Sequence, residues 1–299
     1  MLRGERFNKA DRVIKIGFWI NALLMVMKLS AGHFGNSEAV FADGVESACD
    51  FIAIGMTIVA LKVGRKPFDE EHPYGHGKVE SLSAIFVSLV IAATGAWILY
   101  GAVTTIIEGV YQEPKLMAVL AAAATIAIKE SLYRYSVRVG GALGSPALMA
   151  IAKDHRKDAV TSVATLIGVG CAFLGFRVMD PIAAGLTSFF IFHIGYQTFR
   201  SSAHELMDGQ PQKELVIAIA ELADEVEGVD KVHEIRARRS GQFLIVDLKL
   251  DMDPEMTVRH SHEIATLVKQ RIFEHFPNMG DVMIHINPSD VPHEDLNRL

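Results

Sequence analysis

The chain has 299 residues, half of them hydrophobic (50%), and a mean hydropathy of +0.26, high for a protein bathed in water. Its net charge of −6 argues against nucleic acid as a partner. Its two cysteines, Cys49 and Cys171, both in apolar runs, exclude a disulfide framework and a cysteine-built zinc cage.

The N-terminal segment MLRGERFNKADR is basic and leads into the apolar run Val13–Phe34 without a small-residue cleavage site, which reads as a retained helix rather than a signal peptide. Further apolar runs cover Glu38–Leu61, Leu82–Ile107, Leu116–Ser136, Ala147–Phe176 and Pro181–Phe199. Each is near or above the ~20 residues that a membrane-spanning helix needs. Breaks fall at Gly35-Asn36, Arg65–Gly77, Glu113-Pro114, Gly140–Pro146 and Asp180-Pro181, so six crossings are expected. The fifth run is the least clean, because Lys153 to Asp158 is almost entirely charged. Arg3, Arg6, Lys9 and Arg12 precede the first run, Lys62, Arg65 and Lys66 follow the second, Arg134 and Arg138 end the fourth, and Arg200 ends the sixth. By the positive-inside rule both termini are expected in the cytoplasm.

Charged residues crowd into the segment beyond about Asp208, where the pattern changes. Lys213–Glu227 has helical periodicity and stops at Gly228. Lys231–Arg239 and Phe243–Leu250 alternate as strands joined at Ser240-Gly241, Val258–Phe276 is helical again, and Val282–Ile286 is a short strand. The expected architecture is therefore a six-helix membrane domain over 1–207, followed over 208–299 by a small α+β cytoplasmic domain of order αββαβ.

Asp43, Glu46 and Asp50 stand in the otherwise apolar second run, spaced by three and four residues and so stacked on one helix face. Ionisable groups at membrane depth are costly and need a partner. No Lys or Arg lies between Phe41 and Phe51, and the chain offers a matching acidic pair instead, Asp154 and Asp158 in the fifth run. If the two faces meet, Glu46, Asp50, Asp154 and Asp158 surround one point, and like charges so close require a cation or protons. Hard oxygen ligands suit Mn²⁺ or Mg²⁺, and less selectively Fe²⁺ or Zn²⁺. The bland alternative is that Asp154 to Asp158 form an interfacial cluster that solvates itself.

Asp69, His72 and His76 lie together in the loop FDEEHPYGHGKVES, a set able to ligate a borderline cation such as Zn²⁺ or to be incidental loop residues. In the last domain His233, His260, His262, His275, His285 and His293, with Asp247, form a scatter in which any one histidine reads first as a surface residue.

Together these features resemble the cation diffusion facilitator family: six membrane helices, acidic pairs in the second and fifth, HPYGHGKVES between the second and third, DHRKDAVTS in the fifth, and a terminal αββαβ domain. The resemblance covers nearly the whole chain. It implies a secondary transporter rather than an enzyme, one that exports divalent metal by proton antiport as a homodimer in the membrane lipid. It places the transport site at Glu46, Asp50, Asp154 and Asp158, with Asp43 as an upstream acidic position. It also implies a loop site at Asp69, His72 and His76, dimer-bridging ligands at His233, Asp247, His262 and His285, and a charge interlock of Lys78 with Asp208. Zinc-type members carry a histidine at one or both of the positions where this chain has Glu46 and Asp154. The expected cargo is therefore Mn²⁺ or Fe²⁺, with Zn²⁺, Cd²⁺ or Co²⁺ export, or a non-transporting sensor or scaffold, as alternatives. No organic cofactor is expected. The expected location is a bacterial-type inner membrane.

Overall fold

A computed structural model describes residues 3–290, with side chains from Ala10 onward. His293 and the side chains of Arg3, Arg6 and Lys9 lie outside the described residues.

Six long helices come first: α1 (Arg3–Phe34), α2 (Glu38–Gly64), α3 (Val79–Glu108), α4 (Leu116–Leu143), α5 (Pro146–Phe173) and α6 (Met179–Leu206). In α1 to α4 the apolar stretches are long and clean enough to cross a membrane by length and composition. The other two are more polar, α5 because of Lys153–Asp158 and α6 because of His193, Gln197 and Arg200. Trp19, Leu23, Phe86, Trp97 and Ile107 are well exposed, as expected of side chains that face lipid rather than water.

The helices break where the backbone chemistry says they should. Gly144 takes the left-handed conformation at the end of α4, and Ser145 caps α5 by accepting from the Leu148 amide, with Pro146 at the first helical position. At the start of α2, Ser37 Oγ accepts from the Val40 amide and donates to Asp180 Oδ1 at 2.6 Å. Asp180 Oδ2 accepts from the Glu38 amide, so one carboxylate from the start of α6 serves the N-terminus of α2.

Small residues make the close crossings. A Cβ on Gly95 of α3 would fall 2.7 Å from the Phe192 backbone nitrogen, and a Cβ on Gly195 of α6 would fall 2.8 Å from that of Ala92. Ser88 and Ser188, both fully buried, complete an antiparallel seam with Gly95 and Gly195.

By packing, the chain divides into two units, Met1–Met56 with Phe86–Thr198, and Thr57–Ile85 with Phe199–Leu299. The second unit holds the α2–α3 loop together with the C-terminal α+β fold. That fold runs α7 (Lys213–Asp224), β1 (Lys231–Ser240), β2 (Phe243–Met252), α8 (Val258–His275) and β3 (Met279–Pro288). The strand order is β1-β2-β3, with β1 antiparallel to β2 across a tight turn at Gly241 and β3 parallel to β2 through the α8 crossover. Ile219, Val226, Leu244, Val246, Leu248, Leu250, Val268 and Ile272 form its core. The helix expected to run to Glu227 ends at Asp224, and the last strand is longer than Val282–Ile286. Pairing with β2 supplies the ladder bonds that the short apolar run does not advertise.

Candidate transport site and accessory metal-ligand clusters

In the first unit a cavity of about 520 Å³ is lined by α1, α2, α4 and α5. Asp50, Asp154 and Asp158 all line it, together with Asn21, Ser47, Lys129 and His155. Helical spacing explains the convergence, since Asp154 and Asp158 lie one turn apart on α5. Glu46, one turn before Asp50, is half-buried and does not border the cavity.

The acidic ladder has lysine partners that come from neighbouring helices rather than from its own stretch. Lys28 of α1 donates to Asp43 Oδ1 at 2.8 Å and to Ser47 Oγ at 3.0 Å. Asp43 Oδ2 accepts from Ser162 Oγ at 3.2 Å, so α1, α2 and α5 meet in one polar knot. Lys28 and Asp43 are 2% and 4% exposed, which makes them a structural pair rather than part of the cavity wall. Lys129 of α4 donates to Asp158 Oδ2 at 2.6 Å. Arg156 of the DHRKD segment pairs with Glu130 of α4 rather than with the acidic residues of its own segment. To the cation or protons expected to compensate the ladder, the structure adds Lys28 and Lys129. A signal was present in the sequence: each lysine is a cation set inside an apolar run, a position that calls for a carboxylate.

His155 was also missed as a cavity residue. It is 4% exposed and contributes an imidazole to a cavity expected to hold oxygen ligands alone.

The α2–α3 loop brings Asp69, His72 and His76 together, with one ligand atom of each within 4.8 Å of the others. Among the described residues this is the one such group of three or more metal-ligating side chains. The His72 amide donates to Asp69 Oδ1 at 2.7 Å, and this bond holds the Asp69 carboxyl below the usual carboxylate range. His76 Nε2 lies 3.4 Å from Asp69 Oδ2, and the two rings are 4.5 Å apart between centroids. His76 Nδ1 faces the Pro67 carbonyl at 3.2 Å, which orients the Nε2 edge towards Asp69. At the end of the loop Lys78 Nζ donates to Asp208 Oδ1 at 2.7 Å, and Asp208 sits in the left-handed region (φ 57°).

The four expected cytoplasmic ligands do not gather within this chain. Asp247 and His285 share a shallow pocket on the open face of the sheet with Arg236 and Lys249. His233 lies instead against Asp251 at 3.3 Å, with Asn287 on the other oxygen of that carboxylate. His233 sits at a β-bulge between Val232 and Glu234, while Asp247 pairs with Arg236 three residues further along β1. His262 is exposed on α8, apart from both.

Comparison with known proteins adds to this geometry. The family described as "Cation efflux transmembrane domain" matches residues 14–207, and "Cation efflux protein, cytoplasmic domain" matches residues 211–289. The manganese efflux system protein MneP of Bacillus subtilis is 33% identical over 96% of this chain and 99% of that protein. The magnetosome protein MamB of Magnetospirillum gryphiswaldense is 32% identical over 93% and 94%. The metal tolerance protein C1 of Arabidopsis thaliana is 32% identical over 94% of this chain and 63% of that longer protein. A solved MamM-CTD structure is 31% identical over 26% of this chain and 99% of that chain, at a TM-score of 0.25.

Proposed function

We propose, on the premise that the chain belongs to the cation diffusion facilitator family of metal-efflux proteins, that it exports Mn²⁺ or Fe²⁺ in exchange for protons. The observation that carries this reading is the convergence of Asp50, Asp154 and Asp158 on one cavity among membrane helices. Three carboxylates supply the hard oxygens that Mn²⁺ prefers, and the His155 imidazole beside them also suits Fe²⁺. Zn²⁺ is the next candidate cargo, because imidazole serves it well.

The cycle is one of alternating access. Open to the cytoplasm, the carboxylates release protons and take up metal. Open to the outside, protons compete for the same oxygens and the metal leaves. Glu46 belongs to this site as the carboxylate one turn from Asp50, in reach of a rearranged helix α2 rather than on the cavity wall. The loop cluster of Asp69, His72 and His76 is a second metal site, outside the membrane-spanning part. The working assembly is a homodimer in a bacterial-type inner membrane, with both termini in the cytoplasm. Residues 1–207 carry transport, and residues 208–299 carry dimerisation and regulation. His233, Asp247, His262 and His285 contribute metal ligands there only if a second copy brings them together.

The test is metal flux in proteoliposomes under an imposed proton gradient. Asp50→Ala and Asp158→Ala should each lower Mn²⁺ flux by about 100-fold or more, beyond the loss expected of an outer-shell partner. Near-normal flux by either folded variant would remove the cavity from the transport path. Flux that ignores the proton gradient would remove the antiport.

A further inference from the structure

A lysine ammonium stands where the cargo has to bind. Lys129 lies in α4, its side chain is 6% exposed, and its ammonium is 2.6 Å from Asp158 Oδ2. It borders the same cavity as Asp50 and Asp154. Two of the residues that line the cavity each carry a buried side-chain atom without a hydrogen-bond partner among the described residues, Asn21 Oδ1 on α1 and His155 Nε2 on α5. Buried acceptors left unpaired are costly, and each calls for an explanation. As the Nδ1–H tautomer, His155 presents Nε2 as an acceptor, just as Asn21 presents Oδ1. The group that could satisfy both is already in the cavity: three N–H donors on a flexible four-carbon stem.

We propose that Lys129 is a tethered counter-cation that changes places with the cargo. With the cavity free of metal, its ammonium neutralises Asp158. When a divalent ion takes the Asp158 oxygens, the ammonium gives up that carboxylate and turns to Asn21 Oδ1 and His155 Nε2. The inference rests on the reading of the cavity as the transport site. It adds a positioning residue to that site, one that acts on the metal through Asp158. Two effects follow from charge alone. Metal must displace a resident cation, so binding is weaker than the carboxylates alone would give, and release is easier. The unloaded carrier can also change conformation without leaving Asp158 an uncompensated charge among membrane helices.

The experiment is calorimetric titration of the purified full chain in detergent with Mn²⁺ alone as the probe, with parent and variants all carrying Asp69→Ala, His72→Ala and His76→Ala so that the loop cluster does not contribute. Lys129→Gln should bind Mn²⁺ at least about tenfold more tightly than the parent, and Lys129→Arg, which keeps the cation, should not. Asn21→Leu should weaken binding severalfold in the parent, because the displaced ammonium loses an acceptor. It should have no further effect in the Lys129→Gln background, whereas an asparagine that ligated the metal directly would weaken binding in both. Unchanged or weaker binding by folded Lys129→Gln would overturn the proposal and leave an ordinary structural ion pair. If that variant does not fold, unchanged binding by Asn21→Leu overturns it as well. Asp158→Asn separates the two levels. Loss of binding there keeps the transport-site reading whatever the lysine variants do, and parental binding would remove that reading and the counter-cation with it.

Discussion

Lys28–Asp43 and Lys78–Asp208 are nearly the same bond, ammonium to carboxylate at 2.8 and 2.7 Å, in opposite surroundings. In the first unit the two side chains are 2% and 5% exposed, and in the second they are 43% and 46% exposed. The buried pair cannot be exchanged for water, so each partner is indispensable while the other is present. The exposed pair trades one set of hydrogen bonds for solvent at little cost. The same residue types thus build a fixed knot among α1, α2 and α5 and a loose latch at the end of the α2–α3 loop.

The largest test of that contrast removes half of the buried pair. Lys28→Met should lower stability by about 3–5 kcal/mol, since it strands the Asp43 carboxylate in a dry interior. Replacing both residues, Lys28→Met with Asp43→Leu, should recover most of the loss in thermal unfolding in detergent. If the single and double variants are equally destabilised, packing rather than charge holds the knot.

An intermediate effect is expected at the loop cluster, which is exposed like the latch but gathers three ligands around one point. Asp69→Ala should weaken metal binding at the loop by about 100-fold, at the top of the range seen for outer-shell partners or above it, measured by titration in an Asp50→Ala background so that the cavity does not contribute. Acid should release this metal too. An imidazole must be free of its proton to ligate, whereas Asp69, held low by the His72 amide, stays ionised until the pH is well below the histidine range. Loss of binding that tracks carboxylate protonation alone would assign the site to Asp69 without the histidines.

The smallest effect belongs to the latch. Lys78→Ala should change stability by less than about 1 kcal/mol, because both partners are screened by water. The Lys78 hydrogen bond holds the Asp208 carboxyl below its usual range. A carboxyl depressed in the folded state stabilises above its unfolded pKa and ceases to do so as the pH falls through the folded value. The small difference between parent and variant should therefore be constant from about pH 5 to 8, begin to shrink near the unfolded carboxylate value of about 3.9, and vanish only once the pH is below the depressed folded value. A loss of several kcal/mol would make the latch a structural element like the knot.

The sequence made the helices legible because their apolar runs are long and their breaks carry glycine, proline and polar residues at the right places, as at Gly144-Ser145-Pro146. It also made the Asp69, His72 and His76 group legible, since a short loop cannot carry its own ligands far apart. What it hid were the partners across helices. Nothing in the local pattern around Lys28 or Lys129 says which carboxylate each one meets, because that depends on how α1 and α4 pack against α2 and α5. His155 read as part of a charged cluster, yet its position on α5 turns it inwards. His233 sits at a bulge in β1, three residues from the Arg236 that Asp247 faces, an offset that no alternation pattern announces.

The seam between α3 and α6 has a mechanical consequence. Where Gly95 and Gly195 let the two backbones approach, each glycine leaves no side chain of its own between the helices. Sliding along such a seam would bring a neighbouring residue's side chain against the opposing backbone at either glycine, so the contact between α3 and α6 favours one fixed register. Whatever deformation an inward–outward exchange demands must then be taken up elsewhere, at crossings lined by long, adjustable side chains. Around the cavity those include the crossing of α4 with α5, where Lys129 meets Asp158.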